Sequence, residues 1–433
     1  MKISVFTPTN NMEHILEAYR SLCDQTHKDW EWVILGNGKG WRDDKIIATL
    51  QSDSRVRIAV FDQGTAKGIG HLKRTACELC TGDILLELDH DDWLIDTCLE
   101  KVHAAVEDGA GFVYSDDVNF SPAEGVGATP KSDTFGEAYG WENYKFTYRG
   151  KEYTSSSSFE PCPRSLMYIG HAPNHVRAWV KEVYWVAGGH DPEMPVADDH
   201  DLVCRTYLTG TKFTFIKEVL YMYREHGNTY KTKREQIQAL SYANAGKYLY
   251  SLVGQWCKNE GHQMIDLGGA LGAKAEGWET LDIRPGADYQ CDVTNGLPFE
   301  DNSIGAFRAW DFLEHIPREN VVDVMNDIYR CLIPGGWLLS RTPSTDGRGA
   351  WQDPTHVSFW NSNSFWYYTQ ADQAQYVPEI KARFQQARIT NDFPSQWHKN
   401  HNIVYVYSDL VALKGQRIPG GHNFGAEFKF TRD

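Results

Sequence analysis

Gly82–Leu94 reads GDILLELDHDDWL, and the fold turns on how that stretch is read. The apolar-rich run Ile84–Leu88 is strand-length and ends abruptly in Asp89, Asp91 and Asp92. Carboxylates grouped at a strand end repel one another unless water or a cation neutralises them. Mn²⁺ or Mg²⁺ suits that task, taking one or two carboxylates plus phosphate oxygens. A metal there can bridge a diphosphate and offset charge on a leaving nucleotide. The competing explanation is an acidic loop that caps the next helix, because Asp is a good N-cap.

Working outward, the flanking sequence alternates strands and helices. Ile3–Thr7 reads as a strand, His14–Cys23 as a helix, Trp30–Leu35 and Arg55–Phe61 as strands, and Gly70–Leu79 as a helix. That rhythm predicts a parallel sheet covered by helices, with ligands gathering at the carboxyl ends of the strands. Residues 121–165 lose the rhythm and read as a long surface insertion suited to acceptor binding. Regular structure resumes near Ser165, and a second acidic cluster follows at Asp198–Asp201.

Residues 231–258 form a Pro-free helical stretch, read as a connector. Beyond it the rhythm restarts at Met264–Leu267, Thr280–Ile283, Val321–Cys331 and Trp337–Arg341. The expected organisation is an N-terminal α/β domain over 1–240, the connector, and a second α/β domain over 259–433. A length of 433 residues and 41% hydrophobic content suffice for two cores.

The formal net charge of −15 and the lack of a basic run argue against nucleic acid as a partner. Nine scattered cysteines fit reduced thiols, with Cys77 and Cys80 packed in a helix. No apolar stretch approaches the roughly 20 residues of a membrane span, and the chain opens directly on a strand. The expectation is a soluble, cytoplasmic protein.

Four pieces in order resemble a family 2 glycosyltransferase of the GT-A fold. They are FTPTN (Phe6–Asn10), KGIGHLKRTACELCTGDILLELDHDDWL (Lys67–Leu94), VAGGHDPEMPVADDHDLVCR (Val186–Arg205) and YMYREHGNTYK (Tyr221–Lys231). The resemblance implies Asp91 and His226 as metal ligands. It implies Asp199 as the general base that takes the acceptor's proton, with Asp198 and Trp185 on the acceptor side. Pro8, Thr9, Lys73, Asp89 and Asp92 fall to the nucleotide-sugar. The family's acidic pair after the second strand is replaced by VILGNGKGW (Val33–Trp41), which leaves Asn37 or Asp62 to hold the base. The family's Arg-Asn pair is Lys73-Arg74 here.

MIDLGGALGAKAEGWETLDI (Met264–Ile283) sets glycines after one strand and an acid at the end of the next. With CDVTNGLPFEDNSIGAFRAWDFLEHIP (Cys291–Pro317) and IYRCLIPGGWLLSRTPS (Ile328–Ser344), it resembles a class I S-adenosylmethionine-dependent methyltransferase, a Rossmann-like fold, over 262–415. That resemblance implies Asp266, Gly268 and Gly272 under the methionine part, Asp282 at the ribose and Asp292 at the adenine. His315 and His356 are candidate proton acceptors or substrate contacts. Only Ala273–Gly277 separate the glycines from the next strand, too few for the full helix that normally helps seat the cofactor.

The combined expectation is an inverting, metal-dependent glycosyltransferase. It moves sugar from a nucleotide-sugar to a hydroxyl-bearing acceptor such as a glycan, which the second domain methylates. Two alternatives stand beside it: a glycan-binding or scaffold protein with one or both domains inactive, and a DNA-base glycosyltransferase.

Overall fold

The computed structural model describes residues 1–38, 40–61, 68–120, 143–168, 173, 175–224, 229–272 and 274–414. It divides into two compact units, Met1–Tyr248 and Leu249–Asp433.

The first unit opens with β1 (Ile3–Thr9), α1 (Ile15–Cys23), β2 (Trp30–Gly36), α2 (Asp44–Gln51), β3 (Val56–Val60), α3 (Ile69–Leu79) and β4 (Ile84–Glu87). β5 (Trp93–Leu94), α4 (Cys98–Glu107), β6 (Phe112–Phe120), β7 (Asn143–Tyr148), β8 (Lys151–Ser156) and α5 (Pro163–Tyr168) follow. β9 (Arg177–Val180), α6 (Lys181–Val186), α7 (Asp198–Leu208), β10 (Phe213–Arg224) and α8 (Thr229–Glu260) complete the series, and the division between units falls within α8.

The main strand order is β3-β2-β1-β4-β9-β6-β10-β5. The parallel rhythm expected from the sequence holds across β1 to β4. It fails at β9, which runs antiparallel between β4 and β6, so the sheet is mixed. The interloper arrives from far along the chain, and apolar periodicity carries no pairing information across that distance. Val5, Trp32, Ile34 and Leu86 are fully buried beneath the sheet, each worth roughly 1.5–3 kcal/mol of apolar transfer.

The Thr81-Gly82 pair before β4 has a structural cause. Glu31 on β2 accepts hydrogen bonds from Lys2 Nζ (2.8 Å), Ser4 Oγ (2.5 Å) and the Thr81 amide (2.6 Å). A Cβ on Gly82 would sit 2.7 Å from the Lys2 carbonyl, so the close approach demands glycine.

The region read as an irregular insertion is corrected over 143–156, where β7 and β8 form a hairpin that joins the sheet through β6. Arg149 and Gly150, both at positive φ, make its tight turn. The alternation in NYKFTY and KEYTSS was the available signal. Of the rest of the supposed insertion, 121–142 lies outside the described residues, and 157–165 runs into α5.

The second unit contains β11 (Gln263–Leu267), β12 (Glu279–Asp282), β13 (Tyr289–Gln290), β14 (Ile304–Trp310), α9 (Val321–Cys331), β15 (Leu332–Pro343), α10 (Ser362–Thr369), β16 (Phe384–Asp392) and β17 (Tyr405–Ala412). Their order is β13-β12-β11-β14-β15-β17-β16. The sheet is parallel as far as β15, and β17 is antiparallel to both its neighbours. A separate core contains Phe307, Leu338, Phe365 and Phe384. Among the described residues, a single 3₁₀ turn, Gly269–Leu271, stands where the first helix would follow β11.

Candidate active site

The carboxyl ends of β1, β2 and β4 meet at one edge of the first sheet, as their parallel pairing requires. Asp89 and Asp91 are half-buried beyond β4, and Asp92 is buried. The residue capping α4 is Thr97, so none of the three aspartates is there to cap that helix. Burial pushes the Asp89 carboxyl up to about 7; Glu87 and Asp91 add repulsion and Lys73 opposes it. A carboxylate crowded in this way is relieved by a cation, and hard oxygen donors fit Mn²⁺ or Mg²⁺.

Asp92 departs from its expected place against the nucleotide-sugar. Its carboxylate accepts from the Tyr221 hydroxyl (2.9 Å) and the Arg224 amide (2.6 Å). Each oxygen thus accepts a bond from β10, and Asp92 fastens the acidic loop to that strand. Tyr221 Oη also accepts from the Asp89 amide (3.1 Å). Arg224 Nε donates to the Asp91 carbonyl (2.8 Å) and its Nη2 pairs with Glu17 (2.6 Å). This clamp was missed at the sequence level, although YMYR carried it.

Lys73, expected against phosphate, is buried instead on α3 between two carboxylates. Its Nζ lies 2.6 Å from Glu87 Oε1 and 3.3 Å from Asp198 Oδ2. A buried ammonium needs such partners, and its charge is already engaged there. Glu87, an acid inside an apolar strand, was a readable signal that went unused. Burial pushes Asp198 up to about 6 against the pull of Lys73, and His190 Nε2 approaches it at 3.6 Å.

Asp199 lies in the first turn of α7, whose cap is Ala197, so helix capping does not explain it. Its Oδ2 accepts from Arg177 Nη1 at 2.5 Å and its Oδ1 from the His200 amide at 2.8 Å. Burial raises the Asp199 pKa, but Arg177 and Lys73 outweigh it and hold the carboxyl far below the usual range. Arg177, on β9, was not foreseen; the only hint was a cation inside the apolar run RAWV.

Pro8 and Thr9 end β1, and Asn37 ties β2 to them, donating from its backbone (2.9 Å) and its side-chain amide (3.0 Å) to the Thr9 carbonyl. Trp185 lies on α6 against Tyr184, with the Arg74 guanidinium 5.2 Å from its ring centre. Asp62 and His226 lie outside the described residues.

In the second unit Asp266 is gripped by Arg308, Nε to Oδ1 at 2.8 Å and Nη2 to Oδ2 at 2.5 Å. Gly268 takes φ +79°, and a Cβ there would meet the Phe312 ring at 3.0 Å, whereas Gly272 faces open space. Asp282 at the end of β12 accepts from the Ala270 amide (3.2 Å) and the Arg284 amide (2.9 Å), which shapes the glycine loop. Asp292 caps a 3₁₀ turn by accepting from the Thr294 amide at 3.0 Å. Arg308, Asp266's partner, was not anticipated from the sequence.

The two sheets define a two-unit α/β protein, a GT-A-like unit followed by a Rossmann-like unit. Within this chain, residues 4–168 match the glycosyl transferase family 2 model and residues 266–340 match a methyltransferase domain model. It is similar to the chondroitin synthase of Escherichia coli, 24% identical over 58% of this chain and 34% of that protein. It is also similar to a GalNAc(5)-diNAcBac-PP-undecaprenol beta-1,3-glucosyltransferase of Campylobacter jejuni, 28% identical over 26% of this chain and 37% of that protein. The chain thus spans about a third of the length of these curated relatives. A crystal structure of S. aureus TarS 1-349 aligns with TM-score 0.41 at 15% identity, covering 64% of this chain and 76% of that one. Among the described residues, no helix is long and apolar enough to cross a membrane.

Proposed function

We propose that the first unit transfers a sugar, with inversion, from a nucleotide-diphosphate donor to a hydroxyl of a glycan or similar acceptor. The observation that carries this reading is the acidic loop beyond β4. It caps no helix, it is clamped by Tyr221 and Arg224, and it keeps Asp89 and Asp91 crowded at the sheet's ligand edge. Asp91 would hold a divalent cation, with Asp89 beside it and His226 as the expected further ligand. Such a cation supplies charge stabilisation to a leaving diphosphate. Asp199 is the base assigned to the acceptor hydroxyl, and Arg177 keeps it ionised and oriented. Pro8, Thr9 and Asn37 would line the nucleotide end, and Trp185 the acceptor side.

For the second unit, we infer that its sheet and glycine loop bind S-adenosylmethionine and methylate the same glycan. When bound, that cofactor supplies an electrophilic methyl group. Asp282 and Asp292 would hold its ribose and adenine. A non-catalytic second unit is favoured by one set of observations: Asp266 is taken up by Arg308 and a single 3₁₀ turn replaces the first helix.

Incubating the chain with a panel of nucleotide-sugars, with Mn²⁺ or with a chelator, tests the first reading. Mn²⁺-dependent release of nucleotide is expected. No release with any donor would overturn it and favour a binding or scaffold protein. Labelled S-adenosylmethionine in the same reactions separates methylation from mere fold resemblance.

A further inference from the structure

Beyond the carboxyl end of β14 the chain turns through Leu313–His315, and the loop after β15 brings His356 alongside. Glu314, His315 and His356 each offer one ligand atom, and these atoms lie within 4.8 Å of one another. We propose that these three residues bind one first-row divalent metal ion, of the class of Zn²⁺, Co²⁺ or Mn²⁺, distinct from the cation at the sugar-transfer site.

Glu314 supplies the independent observation. It is 2% exposed, its Oε2 accepts from the Thr342 hydroxyl at 2.6 Å, and its Oε1 is buried without a hydrogen-bond partner. A buried carboxylate oxygen in that state costs free energy unless something positive meets it.

The imidazoles are prepared in the same sense. His356 Nδ1 lies 3.1 Å from the Ala350 carbonyl, and His315 Nδ1 lies 3.2 Å from the Thr355 carbonyl. A carbonyl can only accept, so each Nδ1 donates to it, which leaves Nε2 as the ring nitrogen available to a metal when the imidazole is neutral; the Asp353 carboxylate lies 3.9 Å from His356 Nε2. Metal-ligating histidines are oriented by this kind of bond. The two rings stand edge to face with centroids 5.1 Å apart.

Two imidazoles and one carboxylate select a transition metal over Mg²⁺ or Ca²⁺. Bonds of about 2.0–2.1 Å place neighbouring donors roughly 3 Å apart, so the set must close by one to two ångströms. His315 is exposed and can swing. Three protein donors leave coordination positions open for water or a ligand oxygen.

The test uses the full chain stripped with a chelator and titrated with Co²⁺, read by visible absorption. Every sample carries Asp91→Asn, to separate this site from the sugar-transfer loop. One equivalent of Co²⁺ with imidazole-type bands, displaced by Zn²⁺, is expected. His315→Gln and His356→Gln should each weaken binding by about 100-fold, and Thr342→Val by about 10-fold. Because His315 is at the surface, its substitution leaves the fold intact, which unchanged circular dichroism checks. The absence of a Co²⁺ band, or a band indifferent to both histidine substitutions, would overturn the site.

Discussion

Arg177 donates to Asp199 from a neighbouring element, and that pair sets how sugar transfer should respond to pH. A carboxyl whose folded pKa is depressed stays ionised until the pH falls far below the usual carboxylate range, near 4. The acid limb of kcat/KM between pH 5 and 8 should therefore owe nothing to Asp199 in the parent. Arg177→Gln removes the cation, so an acid limb should emerge and move upward; a pH–rate profile checks this. Asp199→Asn should lower kcat by about 10²- to 10⁴-fold with little change in KM for the donor. An equal loss in Asp198→Asn alone would assign the base to the wrong residue. Asp198 and Asp199 are adjacent in the sequence, and the resemblance singles them out. Arg177 lies 22 positions earlier in sequence, and Lys73 meets Asp198 only through the fold. Spacing along the chain cannot announce such partners.

Elements read well wherever an apolar run was bounded on both sides. β1, β2 and β4 fall within two residues of their expected ends, because a fully buried strand writes itself as consecutive apolar residues. β9 and the β7–β8 hairpin escape the sequence for opposite reasons: the first is defined by its partners, the second by a short alternation within a Gly- and Ser-rich stretch. The Thr81-Gly82 turn makes the element scale testable. Gly82→Ala presses a methyl against the Lys2 carbonyl and should destabilise the first unit by about 1–3 kcal/mol, measured by denaturant unfolding. Burial pushes Glu31 up, but hydrogen bonds from Lys2, Ser4 and Thr81 prevail and hold its pKa at about 2. This depressed carboxyl contributes stability above its unfolded pKa of 4.5, lost as pH falls toward 2. Lys2 is partly exposed, so solvent screening reduces the contribution to about 2 kcal/mol. Glu31→Gln should remove it at pH 7 and flatten the unit's stability between pH 4.5 and 2.

At the scale of the whole molecule, each unit has its own sheet and its own buried core. Ligands that bind a native unit raise its apparent stability by mass action, about 2.7 kcal/mol at a hundredfold excess over Kd. Calorimetry should therefore resolve two unfolding transitions. Mn²⁺ with a nucleotide-sugar should raise one, and S-adenosylmethionine the other. Gly82→Ala should lower only the transition that the nucleotide-sugar raises, because its clash lies wholly within the first unit. A single transition displaced by both kinds of ligand would mean that the units unfold as one body, and the two activities would then have to be assigned by site substitution alone. With separate transitions, heating past the lower one leaves the other unit folded, so the proposed sugar transfer can be measured with the second unit folded or unfolded.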